Sequence, residues 1–161
     1  VVFAARHPDI MSSAALAIQF EHLAGPGTIN FLNSIQFTNA SAPLKAFVSN
    51  SNGTLLDILR DTADQYGLVV TNLALRGTAG DVDGLGSIPS IGFIQTGYLY
   101  HSAVDEVSFY SAKELELAAR AHAFMVDEVN RIDAAEMKRA VGGDVIPFYV
   151  SPSFYEMLSS W

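Results

Sequence analysis

The spacing of apolar residues switches back and forth along this chain, and that alternation is what most restricts its fold. Short, almost continuous apolar runs of strand length occur at "VVFAA" (1–5), "AALAIQFE" (14–21), "LKAFVS" (44–49), "LVVTNLAL" (68–75) and "IPSIGFIQ" (88–95). Such runs suit strands buried on both faces. Between and after them the period becomes helical. Leu55, Leu59, Ala63 and Tyr66 form one stripe, and Leu115, Ala118, His122, Met125, Val129 and Ile132 form a longer one. Strand and helix in alternation predict an α/β fold, a three-layer sandwich around a mostly parallel mixed sheet with helices on both faces.

Local signals set the expected boundaries. "SAKE" at 111–114 is a capping box, so the long helix should begin after Ser111. A break near Asp133 should start a second short helix that ends at Gly142 and Gly143, and Gly67 should end the helix that carries Leu55. "TINFLNSIQFT" (28–38) alternates as a strand does, while the His-Pro-Asp in "RHPDIMSS" (6–13) suits a turn or short helical piece. The aromatic stretch "DVIPFYVSPSFYEMLSSW" (144–161) should pack down on the rest.

Composition narrows the function. With 161 residues, half of them hydrophobic, the chain fits a single domain with a real core. Its apolar runs are far shorter than the ~20 residues of a membrane helix. A net charge of −8 with only nine Lys and Arg argues against nucleic acid and anionic membranes as partners, since phosphate binding draws on clustered basic residues. The absence of cysteine removes disulfides, thiolate metal sites and cysteine nucleophiles together. Any metal would be held by His and carboxylates. The sequons "NAS" at Asn39 and "NGT" at Asn52 point to a secreted glycoprotein.

In open α/β sheets, ligands gather at the carboxyl ends of strands. Glu21 and His22 close the strand "AALAIQFE", and His101 follows "IPSIGFIQ" after a short loop. A carboxylate and an imidazole from neighbouring strand ends are suitable zinc ligands, and Asp105 stands where it could orient one of them. A loop histidine near a carboxylate is also an ordinary solvated residue. His22 and Glu21 point to opposite faces while the strand lasts, so both reach one metal only if it has ended. His122 lies on the apolar stripe of its helix and is expected in the core. Tyr98, Tyr100, Phe109 and Tyr110 could line a pocket, or simply pack. Asp81, Asp83 and Gly84 in "GDVDGLGS" resemble part of a calcium loop without its later glutamate. "HPD" at 7–9 lacks the basic helix and hairpin setting of J-domain cochaperones. Neither a G-x-S-x-G elbow nor a phosphate loop is present.

The segment "GSIPSIGFIQTGYLYHSAVDEVSFYSAKELELAARAHAFMVDEVN" resembles the later part of the co-catalytic two-zinc aminopeptidases, relatives of glutamate carboxypeptidase and the transferrin receptor. That family has a "G-I-P-S" entry to an apolar strand, then "Y-H-T-x-x-D", then a long helix. Ile88, Pro89 and Ser90 match the entry. Tyr100 and His101 match the Tyr-His pair, Ser102 stands for Thr, and Asp105 keeps its place. The resemblance implies that His101 is a zinc ligand, that Tyr100 and Tyr98 lie near a peptide or small amide substrate, and that Glu21 occupies the position of a metal-binding aspartate, "ALAIQFEHLAG" being similar to the family's "a-x-i-n-l-D-m-x-G". It also implies that the chain is the later part of a larger peptidase domain, whose missing N-terminal part would be its partner.

The departures are specific. The family's His-x-Asp motif, its bridging aspartate and its Glu-Glu pair are absent, the last where the strand matching "VVFAA" should lead to it. A complete site would hold two metals roughly 3.5–4 Å apart to activate a water and clamp the scissile carbonyl, with a nearby carboxylate to move the proton. This chain carries fragments of that site, so the resemblance implies either a zinc hydrolase with an incomplete site or a non-catalytic binding or assembly protein that keeps the fold.

Overall fold

The computed structural model describes residues 2–21, 23–32, 34–41, 45–49, 53–66, 85, 88–94, 102–103 and 105–138. Two short helices, α1 (Val2–Arg6) and α2 (Pro8–Ser13), precede strand β1 (Ala17–Glu21). A hairpin of β2 (Pro26–Phe31) and β3 (Ser34–Ser41) follows, then β4 (Lys45–Ser49), α3 (Gly53–Tyr66), β5 (Ser90–Ile94), α4 (Ala112–Val129) and α5 (Ala134–Met137). The fold is α/β. Its described sheet has the order β1-β5-β4, with β1 parallel to β5 and β4 antiparallel to it.

Strand alternation divides the sheet cleanly. Ile91 and Phe93 of β5, beside Ile18 and Phe20 of β1, face the helical layer. There Ile91 and Phe93 meet Leu55, Ile58, Leu59 and Ala63 of α3, Ala121 and Met125 of α4 and Met137 of α5 in one core cluster. The buried residues of α3 carry the stripe that its spacing predicts, with Tyr66 half-buried at its end. Thr54 Oγ1 donates to Glu136 Oε1 at 3.0 Å and ties the start of α3 to α5. On the other face Gln19, Ser90 and Ile94 are buried as well, so β5 is covered on both sides.

Three sequence expectations need correction. Residues 1–5 were expected as a buried strand, but Val2–Arg6 is helical, followed by α2 with Pro8 at its first turn. A short apolar run reads alike as strand or helix. Here His7 N donates to Phe3 O at the end of α1 and Met11 N donates to His7 O at the start of α2, both 3.0 Å, while His7 at φ −126°, ψ 58° breaks the helix between them, and neither helix buries a residue. The stretch 28–38 is not one strand but two. Phe31 pairs with Ser34 across a two-residue loop, and Leu32 adopts φ 49°, the left-handed conformation such tight hairpins demand. Last, Leu115 was expected in the buried stripe of α4 but is 51% exposed.

The predicted cap is half formed. Ser111 Oγ accepts from Glu114 N at 3.2 Å, whereas the Ser111 N–H donates to Ala24 O at 3.4 Å instead of to Glu114. Ser111→Ala should therefore cost about 1 kcal/mol, read as a lower urea midpoint with an unchanged slope. The expected break at Asp133 is present, with its carboxylate accepting from Ala135 N at 2.7 Å. Residues 67–75, the glycines at 142 and 143, and the stretch 144–161 lie outside the described residues.

Candidate functional site

The site begins with the pairing of β1 and β5. The parallel register sets Ala17 against Ser90 and runs without a slip to Glu21 against Ile94, so Glu21 stands at the carboxyl edge where β5 also ends. Gln19, two residues back, shares its face. The Gln19 amide donates to Glu21 Oε2 and fixes the half-buried carboxylate against the sheet. Gln19 itself is 5% exposed, and its Oε1 has no hydrogen-bond partner among the described residues. Sequence reading missed Gln19 as a positioning residue. Its only signal was the period-2 spacing from Glu21, which any strand supplies.

Past β1 the chain turns at Leu23 and Ala24, and buried Ala24 takes φ 63°. Its carbonyl receives the Ser111 N–H, which docks the first turn of α4 beside the strand end. Residues 105–111 lead into α4. Asp105 is exposed and fastened locally, accepting from the Tyr110 hydroxyl while its own N–H donates to Ser102 O at 3.2 Å. The hydrogen bond to Asp105 pushes the Tyr110 phenol above its usual range, aided by partial burial and by the carboxylate charge. Phe109 stacks obliquely on Phe37 of the hairpin, ring centres 5.6 Å apart. Asp105, expected to orient a metal ligand, thus engages Tyr110, and Phe109 engages the hairpin.

His101, Tyr98, Tyr100 and His22 lie outside the described residues, as do Asp81, Asp83, Gly84 and Asn52. Asn39 lies in β3. Glu21 and Asp105 are therefore the two residues expected at the metal site that the structure describes. Among the described residues no group of three or more His, Asp or Glu side chains could hold a metal. Glu21 supplies one carboxylate oriented by Gln19. No helix among the described residues is long and apolar enough to cross a membrane.

His122 is a core histidine, as its place on the stripe predicts. It is 1% exposed, held between the rings of Phe20 at 4.3 Å and Phe93 at 5.3 Å. Its Nδ1 lies 2.7 Å from Ala118 O, one turn back on α4. Burial pushes its pKa below the ordinary value, more strongly than the Ala118 and Gln19 backbone carbonyls pull it up. The Nδ1 beside the Ala118 carbonyl therefore carries the proton of the neutral ring and donates to Ala118 O.

No family model, curated protein or solved structure matches this chain.

Proposed function

We propose that the chain is the later part of a zinc-aminopeptidase-like hydrolase, with a metal position at the carboxyl edge of β1 and β5 where Glu21 and His101 are the ligands. The unbroken parallel register of β1 on β5 carries this reading. It brings the end of the Glu21 strand beside Ile94, and only six residues separate Ile94 from His101 in the sequence. Two further features support it. Gln19 holds the Glu21 carboxylate by hydrogen bond, as ligating carboxylates are commonly held. Burial on both faces of β5 suits a three-layer sandwich. Bound there, zinc would act as a Lewis acid toward a peptide or small amide carbonyl and lower the pKa of a bound water. In this chain Glu21 and His101 would bind it, Gln19 would orient Glu21, and Tyr100 and Tyr98 would line the substrate side. No residue here is assigned as general base, because the Glu-Glu pair is missing from the sequence. The sequon at Asn39, in β3, makes secretion part of the same proposal.

A second reading, a binding or assembly protein that keeps the peptidase fold, is favoured by α1. The helix stands where the resemblance requires a strand leading to the catalytic glutamates. Metal analysis separates the two. After dialysis against micromolar zinc, the hydrolase reading expects stoichiometric zinc. Glu21→Gln and His101→Ala should each abolish retention, and Gln19→Ala should weaken it by 10–100-fold. A chain that retains no zinc, or two ligand variants that retain it undiminished, would leave only the binding protein.

A further inference from the structure

A groove of about 550 Å³ runs between β1 and α4, a volume common among sites for small molecules. Along α4 it is lined by one row at four-residue spacing, Leu115, Ala119, Ala123 and Asp127. The two ends of that row lie roughly 18 Å apart at 1.5 Å per residue, and they differ in chemistry, an apolar side chain at one and a carboxylate at the other. Phe20 lines the groove from β1, its ring packed against the His122 imidazole with centres 4.3 Å apart.

Charge decides what such a groove can hold. Among the described residues that line it, Asp127 alone is charged at pH 7, since burial keeps the His122 ring neutral there. The nearby cations do not neutralise it. Arg120 pairs with Glu116 at 2.7 Å and Arg131 pairs with Glu128, so the Asp127 carboxylate has no ion-pair partner among the described residues. The net charge of −8 adds a field that draws cations and repels anions. A lone carboxylate at the end of an otherwise apolar groove complements a molecule with one ammonium group on an apolar body, and it disfavours the matching carboxylic acid. A wholly polar cation gains little, because buried apolar area supplies most of the affinity and one exposed ion pair only a modest part.

We propose that the groove between β1 and α4 binds a small hydrophobic amine, its ammonium group on Asp127 and its apolar body along Ala123, Ala119 and Phe20. Hexylammonium, hexanol and hexanoate, matched in length, probe this on the full chain at pH 7 through the amide NMR shifts of residues 119–127. Hexylammonium should give saturable shifts there and bind about two- to fivefold more tightly than hexanol, the worth of one exposed ion pair, with hexanoate weakest. Asp127→Asn should erase the preference for the amine and leave hexanol unchanged. Ala123→Leu and Ala119→Leu stand at exposed positions of α4 where leucine is a good helix former. By filling the groove, each should weaken all binding by about tenfold while the helical circular dichroism persists. The proposal is overturned by an absence of saturable shifts, by equal affinity for hexylammonium and hexanol, by a preference that survives Asp127→Asn, or by binding undiminished in both leucine variants.

Discussion

Phe93→Ala should lower the stability of the chain by about 3–5 kcal/mol. Phe93 is fully buried in the central strand of the described sheet, beside His122 and in the cluster that joins α3, α4 and α5 to β5. Removing its ring forfeits the transfer free energy of the side chain. It also leaves a void that three separate elements would have to close together, which close packing resists. Domains of this size hold only about 5–15 kcal/mol in total, so much of the population should unfold at urea concentrations the parent chain tolerates. The matched control is Leu32→Ala at the hairpin tip, 83% exposed, which should stay within about 0.5 kcal/mol of the parent. A loss below about 1 kcal/mol for Phe93→Ala would mean that the core does not lie on this face of β5.

Stability should also fall as the solution is acidified through the range where free histidine titrates. The His122 pKa is lowered in the folded chain by burial, so the unfolded chain takes up the proton first, near pH 6.5. The stabilising contribution is complete above that value. It is lost progressively as the pH drops below 6.5 toward the folded-state pKa, because the unfolded state binds more protons in that window. Each unit of depression is worth about 1.4 kcal/mol. Urea titrations at pH 8.0, 7.0, 6.0 and 5.0 should show the decline, and His122→Gln should flatten it while lowering stability at pH 8.0. If the decline is equal in both proteins, the proton uptake belongs elsewhere and the buried imidazole is not its source.

The alternation of apolar spacing was sufficient to place β1, β4, β5, α3 and α4, because long helical stripes and buried strands each leave a periodic mark on the sequence. The Ser111 cap and the break at Asp133 were equally legible, since a side chain that caps its own backbone two or three residues on needs nothing from elsewhere. The Glu21 strand end was visible for the same reason. Its orientation by Gln19 was not, because alternation in a strand names a shared face without saying which polar pairs on that face will bond.

Where an element's state depended on distant partners, the tertiary structure decided. Val2–Arg6 and Phe20 are both apolar, yet the first became an exposed helix and the second the wall of an open groove. The antiparallel placement of β4 on β5, the turn at Leu32 that splits one apparent strand into a hairpin, and the Ala24 carbonyl that takes the Ser111 N–H are of the same kind. Local sequence determines which dihedral patterns are inexpensive and which faces are apolar. Which of those faces meet is determined by hydrogen bonds and packing between residues far apart in the chain, and these form only once the whole chain has folded.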